Sequence, residues 1–338
     1  MPLTIYDISK KANVSIATVS RVLNGSESVK ASTRKKVMDI IEKYDYTPNA
    51  SARAMSLRSL KTIGILCADS SDIFLAKAVF YLEQELQTHG YESILCCTGY
   101  NLDIKQNYVN LILSKKVDGL ILVGSNFIGS TEEENQYIID GSKQVPIMLL
   151  NASFDYPNVY STLCDDMSSM FQATNAMIES GIHDILYVYN STSYSGKKKL
   201  NGFRTAMSTH GIKDYEKLIL RIEEGATSIK DIEANIEKFA KTGPKFHGII
   251  CADDTLAIAA VKFANAKGYA IPDDISIIGY NNSMLTDCCS PELTSIDNHL
   301  ETQTHQLVKT LVGVLSGEEM PKKSVFSGNI VKRGTTKF

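Results

Sequence analysis

The chain has 338 residues, enough for two or three domains, and its 43% hydrophobic content is ordinary for a soluble globular protein. No run approaches the ~18 apolar residues that a membrane-spanning helix requires. The net charge of −3 is unevenly spread: residues 1–61 carry eleven Lys and Arg against five Asp and Glu, so the head stands at +6 and the remainder at −9. A small basic head on an acidic body points to a polyanion partner for the head, although a solvated charged face has the same composition.

The opening stretch "MPLTIYDISKK" lacks the apolar centre of a signal peptide, so a cytoplasmic, non-membrane protein is expected. Seven Cys are odd in number, with two adjacent pairs and no C-x-x-C spacing. They read as buried free thiols. The His and Cys spacings of a zinc site are absent, and neither a metal nor a cofactor is expected.

Residues 4–12, "TIYDISKKA", place Ile5, Ile8 and Ala12 on one face at helical spacing. Ser15 is a good N-cap for a second helix over "IATVSRVLNG", with Val19, Val22 and Leu23 inward and Asn24-Gly25 at its end. A third helix, roughly 32–45, would be capped by Ser32 or Thr33 and turn Val37, Ile40 and Ile41 inward. Two short helices joined by a tight turn and braced by a third form the helix-turn-helix plan, in which the second helix enters the DNA major groove. Its outer face would carry Ile16, Ala17, Ser20 and Arg21. Arg21 can donate two parallel bonds to a guanine edge, and Ile16 and Ala17 can touch a thymine methyl. Ser15, Thr18, Asn24 and Thr33 are short donors suited to phosphates. A three-helix module that binds protein is the bland alternative.

The stretch "TIYDISKKANVSIATVSRVLNG", continued by "TRKKVMDIIEKYDYTPNASARAM", resembles the N-terminal signature of the lactose-repressor (LacI/GalR) family of bacterial transcription regulators. The resemblance implies a DNA-binding head at 1–46, with Tyr6 among its contacts. It also implies a hinge at 47–60 that becomes helical when two copies meet on DNA. There Asn49 and Arg53 are candidate minor-groove or phosphate contacts, and Met55 stands where the family commonly places a Leu wedge between base steps.

From residue 61 onward, apolar runs alternate with helical patterns. "TIGILCA" (62–68), "SILCC" (93–97), "GLILVG" (119–124) and "PIMLLN" (146–151) read as buried strands. So do "DILYVY" (184–189), "KLILRI" (217–222), "GIICAD" (248–253) and "ISIIGY" (275–280). Helical patterns include 74–88, 165–180, 227–241 and 254–267. This alternation predicts doubly wound parallel sheets, too many strands for one, hence two α/β subdomains. "KTIGIL", "KKVDGLIL", "LNGF", "IPDDISIIGYNN" and "PELTSID" are similar to landmarks of the same family's core. That core resembles a periplasmic sugar-binding protein whose chain crosses three times between subdomains. The resemblance places the N-subdomain at 61–160 and 290–319. The C-subdomain, with effector binding and dimerisation, falls at 161–289 and 320–338.

An enzyme is disfavoured: G-x-S-x-G, P-loop, H-E-x-x-H and G-x-G-x-x-G motifs are absent. Ser195-x-x-Lys198 with Lys241-Thr242-Gly243 matches fragments of a serine β-lactamase signature, but without S-D-N or the right fold. The acidic pair Asp273/Asp274 reads as a solvated turn, and Asp253/Asp254 as a strand-end site. Asp165/Asp166 is a third such pair.

Ligands of such sheets bind beyond the carboxyl ends of the strands. Candidates there are Asp69, Asp72, Phe74, Ser125, Asn126, Asn151, Ser193, Tyr194, Lys197, Lys199, Asp253, Asn281 and Asn298. Carboxylates, amides and hydroxyls with two flat rings suit a sugar or polyol, a nucleobase or another small polar metabolite. Sugar-responsive members usually carry Arg at Lys199, Asp at Asn281, Asn at Asp253 and Asn-Pro at Asp72-Ile73. The implied function is a homodimeric repressor on a near-palindromic operator, controlled by such an effector. The alternatives are a catabolite-type regulator controlled by a phosphorylated protein partner and a soluble ligand-binding protein or enzyme that does not act on DNA.

Overall fold

The computed structural model describes residues 4–23, 26, 28–44, 46, 59–222 and 228–338. Asn24, Asn49, Arg53 and Met55, and most of the expected hinge, lie outside these residues. The chain divides into two units, Met1–Leu60 and Lys61–Phe338.

The first unit holds α1 (Ile5–Ala12), α2 (Ile16–Leu23) and α3 (Ala31–Lys43). Thr4 and Asp7 close a reciprocal capping box at the start of α1, which satisfies free amides there. These Thr4 hydrogen bonds hold the Asp7 carboxyl below its ordinary pKa. Asn13 takes a left-handed conformation, φ 51°, and ends α1. Ser15 then opens α2 by accepting the Thr18 amide at 3.1 Å. Ile8, Ala12, Val19, Val22 and Val37 form the buried centre, with Ile40 and Ile41 half-buried around it. The third helix departs from expectation. It starts at Ala31, with Lys30 at the N-cap and no side-chain cap bond, so Ser32 and Thr33 sit inside its first turn.

In the second unit, β1 (Thr62–Cys67), β2 (Glu92–Cys97), β3 (Gly119–Val123), β4 (Ile147–Leu150), β5 (Val159–Cys164) and β11 (Lys323–Phe326) build one sheet. Its order is β11-β5-β4-β3-β1-β2, with parallel pairings throughout. Helices α4 (Ile73–Thr88), α5 (Leu102–Ser114), α6 (Gln136–Ser142) and α11 (Leu300–Leu315) belong to this lobe. Ile63, Ile65 and Met148 pack with Leu307, Val308 and Leu311 on one side of the sheet. Leu66, Leu120 and Leu122 pack with Val109 and Ile112 on the other. Burial on both sides explains the continuous apolar runs.

The second sheet contains β6 (Ile185–Tyr189), β7 (Ile219–Arg221), β8 (Gly248–Cys251), β9 (Ser276–Tyr280), β10 (Thr294–Asp297) and β12 (Asn329–Val331). Its order is β12-β10-β9-β8-β6-β7, and β12 pairs antiparallel to β10. Helices α7 (Asp166–Glu179), α8 (Tyr194–Thr209), α9 (Ile229–Thr242) and α10 (Asp254–Lys267) cover it, with Met170, Phe203, Ile236 and Phe263 in its core.

The chain passes between lobes three times, at other positions than the sequence suggested. β5 belongs to the first sheet, β10 to the second and β11 to the first again. The crossings therefore fall near 165, 298 and 327 instead of 160, 290 and 320. The cause is pairing: β11 continues the parallel ladder of β5, and only after Phe326 does the chain return to β10. The cysteines also depart from expectation: all seven are free, but Cys97 and Cys288 are exposed. Burial pushes the Cys67 thiol up to about 12.

Candidate nucleic-acid interface and ligand cleft

Helix α2 presents Ile16, 38% exposed, with Ala17 and Arg21 exposed beside it and Ser20 half-buried. Val19 and Val22, at the complementary spacing, are buried. Burial of one stripe thus fixes the other outward. Arg21 has no hydrogen-bond or ion-pair partner among the described residues, so its guanidinium is uncommitted. Ser15 and Thr18 are joined by their hydroxyls at 2.8 Å, next to the amides that open α2. Tyr6, 64% exposed, lies on α1, and Thr33 is half-buried in α3. Exposed Lys10, Lys11, Lys30, Lys35, Lys36 and Lys43 contribute to the positive charge of the unit.

The second site lies where the carboxyl ends of the two sheets face each other. Direct bonds span the lobes here. Ser125, buried after β3, donates to Ser193 at 2.8 Å, and Lys197 donates to Ser130 at 3.0 Å. Ser193 also caps α8, and Ser191 donates to it at 2.9 Å.

Lys199 is a buried cation of this region. Its ammonium donates to the Ala252 carbonyl at 2.9 Å and lies 3.6 Å from the centre of the Tyr280 ring. Among the described residues no carboxylate reaches ion-pair distance from it. Several carboxylates nonetheless feel its charge. Asp166, fully buried, accepts from Tyr280 at 2.6 Å; burial raises its pKa and Lys199 opposes that. Asp253 caps α10 through the Leu256 amide at 2.8 Å, and burial pushes its carboxyl up to about 6. Asp72, from the first lobe, caps α4 at 2.8 Å, and burial raises its pKa as well. Asp254 lies deeper, accepting from Ser283 and from Ser295. It presses so closely on Gly279 that a Cβ there would collide with the carboxylate.

Asn281, with φ 99°, accepts from Asn298 at 3.1 Å, and Gln303 donates to the Asn298 carbonyl at 2.5 Å. The other amide atoms, Asn298 Oδ1 and Gln303 Oε1, are buried without a hydrogen-bond partner, as is Asn126 Nδ2. Leaving such an atom unmet costs about 1–3 kcal/mol. Asn151 also has a left-handed backbone, φ 64°. Positive φ at Asn151 and Asn281 sets two amide side chains at strand ends where most residues are strained.

Of the residues read from sequence, Ser125, Ser193, Lys197, Lys199, Asp253, Asn281 and Asn298 share this region through direct bonds or charge. Asp69 is committed otherwise: its carboxylate accepts from the Ser71 amide at 2.8 Å and hydroxyl at 2.7 Å. Phe74 packs against the first lobe's core. Tyr194 lines a neighbouring groove. Sequence reasoning noted Asp166 only as one of an acidic pair and passed over Tyr280 and Gln303. Asp166 had a signal, since it follows the end of β5; Gln303 had none.

Two family models cover almost the whole chain. "Bacterial regulatory proteins, lacI family" matches residues 4–49. "Periplasmic binding proteins and sugar binding domain of LacI family" matches residues 60–326. The chain belongs to the LacI family. An HTH-type transcriptional regulator of Lachnoclostridium phytofermentans is 46% identical over 336 residues, spanning 99% of this chain and 100% of that protein. Catabolite control protein A of Priestia megaterium is 34% identical over 88% of this chain and 87% of that protein. Among solved structures, the lac repressor dimer bound to operator and the anti-inducer ONPF matches with a TM-score of 0.87 at 21% identity, covering 99% of both chains. At that identity the likeness is one of fold. This LacI-family chain is a DNA-binding transcriptional regulator and not an enzyme. None of its described helices is long and apolar enough to cross a membrane.

Proposed function

We propose that this LacI-family protein is a cytoplasmic, homodimeric repressor. In this reading α2 reads base edges of a near-palindromic operator, and a sugar or related polar metabolite held between the core lobes sets its affinity. Residues 1–46 act as the DNA head, 47–60 as the hinge and the two lobes as the effector-binding core. Base reading falls to Arg21, Ser20, Ile16 and Ala17, and phosphate contacts to Tyr6, Ser15, Thr18 and Thr33.

The observation that carries the effector reading is the interlobe region itself. Ser125–Ser193 and Lys197–Ser130 join the lobes with bonds that a small ligand can replace or reinforce. Around them stand Lys199, Asp72, Asp253, Asn281 and Asn298, a set able to donate to and accept from adjacent hydroxyls. A ligand touching both lobes stabilises one interlobe angle over another by its difference in affinity for the two. Residues 47–60 connect the core to the head and are the route to DNA. Linkage then requires that operator DNA change ligand affinity by the same factor as ligand changes operator affinity.

A thermal-shift screen of monosaccharides, disaccharides, phosphosugars and nucleobases tests the effector. A ligand present at 100 Kd adds about 2.7 kcal/mol of stability. The same compound should change operator affinity in a fluorescence-anisotropy titration with upstream DNA. A compound that stabilises the protein but leaves operator affinity unaltered would overturn the coupling. Affinity for upstream DNA no greater than for random duplex would overturn the DNA reading.

A further inference from the structure

We propose that the effector of this cleft carries a primary ammonium group, and that the ammonium bridges Asp72 of the first lobe and Asp253 of the second. Under the sugar reading above, on which this rests, the ligand is an amino sugar with a free amine.

The charges of the cleft do not balance. Asp72 caps α4, Asp166 opens α7 and Asp253 caps α10, and Lys199 offsets the charge of all three. Yet Lys199 is occupied by the Ala252 carbonyl and the Tyr280 ring, and it forms no ion pair with any of them. The other lysines of these walls are engaged elsewhere. Lys105 donates to the Asn126 carbonyl at 2.6 Å, Lys197 donates to Ser130 at 3.0 Å, and Lys198 lies over the Tyr194 ring at 5.7 Å. Three carboxylates thus stand against one ammonium.

Two of the three are within a ligand's reach. Asp166 is buried and bonded to Tyr280, whereas Asp72 is open to solvent and Asp253 half-buried. Enough protein surrounds the latter two to raise the pKa of each, and the charge of Asp72 adds to the rise at Asp253. Each gives Oδ1 to the amide that starts its helix, so both carboxylates are set before a ligand arrives, which lowers the ordering cost of binding. Like charges on opposite lobes oppose the approach of those lobes. A cation between them turns that repulsion into two attractions.

A second observation points the same way. Asn298 and Gln303 are 2% and 1% exposed. Asn298 Nδ2 donates to Asn281 at the end of β9, and Gln303 Nε2 donates to the Asn298 carbonyl. Both amide oxygens are left without a partner. These unmet atoms are acceptors, and an ammonium brings three donors and no acceptor. The unmet amide atom of the first lobe, Asn126 Nδ2 beside Ser125, is a donor, which a ring hydroxyl can satisfy. The walls therefore call for a cation and for hydroxyls together, as an amino sugar supplies them. A phosphosugar would meet like charge.

Isothermal titration calorimetry on the full chain at neutral pH tests this. The probes are glucosamine, galactosamine and mannosamine, each beside its N-acetyl form and its neutral parent sugar, with putrescine and glucose 6-phosphate. At least one amino sugar should bind about tenfold or more tightly than both its N-acetyl form and its parent. Asp72→Asn and Asp253→Asn keep good N-caps and should each remove most of that advantage, read as the ratio of amino-sugar to parent-sugar affinity. An amino sugar that binds no more tightly than its parent, or a ratio that survives both substitutions, would overturn the ammonium site and leave the sugar reading standing. Tighter binding of glucose 6-phosphate than of any amino sugar would overturn it as well. Binding of putrescine that both substitutions weaken, with no sugar bound, would support the ammonium site and overturn the sugar reading. If none of these compounds binds, both readings fail together.

Discussion

The DNA face and the ligand cleft are built on opposite plans. The base-reading residues proposed for the DNA face fall on one short helix, within six consecutive positions, 16–21. Its chemistry is free of structural duty: Ile16, Ala17 and Arg21 are exposed, while Val19 and Val22 on the opposite stripe hold the fold. The cleft gathers residues from Asp72 to Gln303 at the ends of separate strands. There Asp72, Ser193 and Asp253 each cap a helix as well as facing the cleft. A face made of exposed side chains can change its partner at little cost in stability. A cleft made of helix caps and buried carboxylates cannot, so substitutions in the two regions should separate binding from folding.

The largest expected effect tests how tightly the cleft floor is packed. Gly279→Ala introduces a methyl against the Asp254 carboxylate and 2.9 Å from Leu293 Cδ2. Overpacking of this kind costs up to about 3 kcal/mol, read as a lower urea midpoint at unchanged slope. An unchanged midpoint would mean that the floor yields and the contrast with the head is overstated.

Asp253 supplies the next largest effect, with opposite sign. Its carboxyl is pushed up to about 6 in the folded chain from the 3.8 of an ordinary Asp. A raised carboxyl pKa means that the folded state holds the proton more tightly, so folding loses stability as pH rises from about 4 through 6. Asp253→Asn keeps an N-cap of equal quality and removes the buried charge. It should raise stability at pH 7 by up to about 3 kcal/mol, and the gain should vanish below about pH 4. A gain that does not depend on pH would point to some cause other than the carboxylate.

Arg21→Ala carries the comparison to the head. Stability should move by less than about 0.5 kcal/mol, because the guanidinium has no partner in the described structure. Discrimination between operator and altered half-sites should fall by about 1–3 kcal/mol in an anisotropy titration. Equal loss on specific and random DNA would reassign Arg21 to phosphate.

The same contrast explains what was legible in the sequence. The helices of the head were readable because a helical face is fixed by spacing alone; the cap of α3 was expected at Ser32 or Thr33, whereas Lys30 holds that position. In the core, strands buried on both faces announced themselves as apolar runs. Strand β5 did not, because Ser161 and Thr162 interrupt it although both are buried. β11 and β12 are short and part-exposed at sheet edges. For the cleft, the residue types were legible but their commitments were not. Nothing local distinguishes Asp69, tied into its own turn, from Asp72, which feels the charge of Lys199 in the other lobe.

The smallest effect separates bridging from capping. Ser193 holds α8 and also accepts from Ser125, so Ser193→Ala would mix two losses. Ser125→Ala removes the interlobe bond alone, leaving the Gly196 amide and the Ser191 hydroxyl on Ser193. A single neutral hydrogen bond contributes about 0.5–1.5 kcal/mol, and loss from a half-exposed partner belongs at the lower end. Stability should fall by about 0.5 kcal/mol. If the bond favours the arrangement in which the lobes meet, effector affinity should fall by a similar factor, about twofold, while operator affinity without effector shifts in the opposite sense to that produced by ligand. A stability loss without either shift would make the bond a structural contact, and the lobes would then be joined for folding rather than for switching.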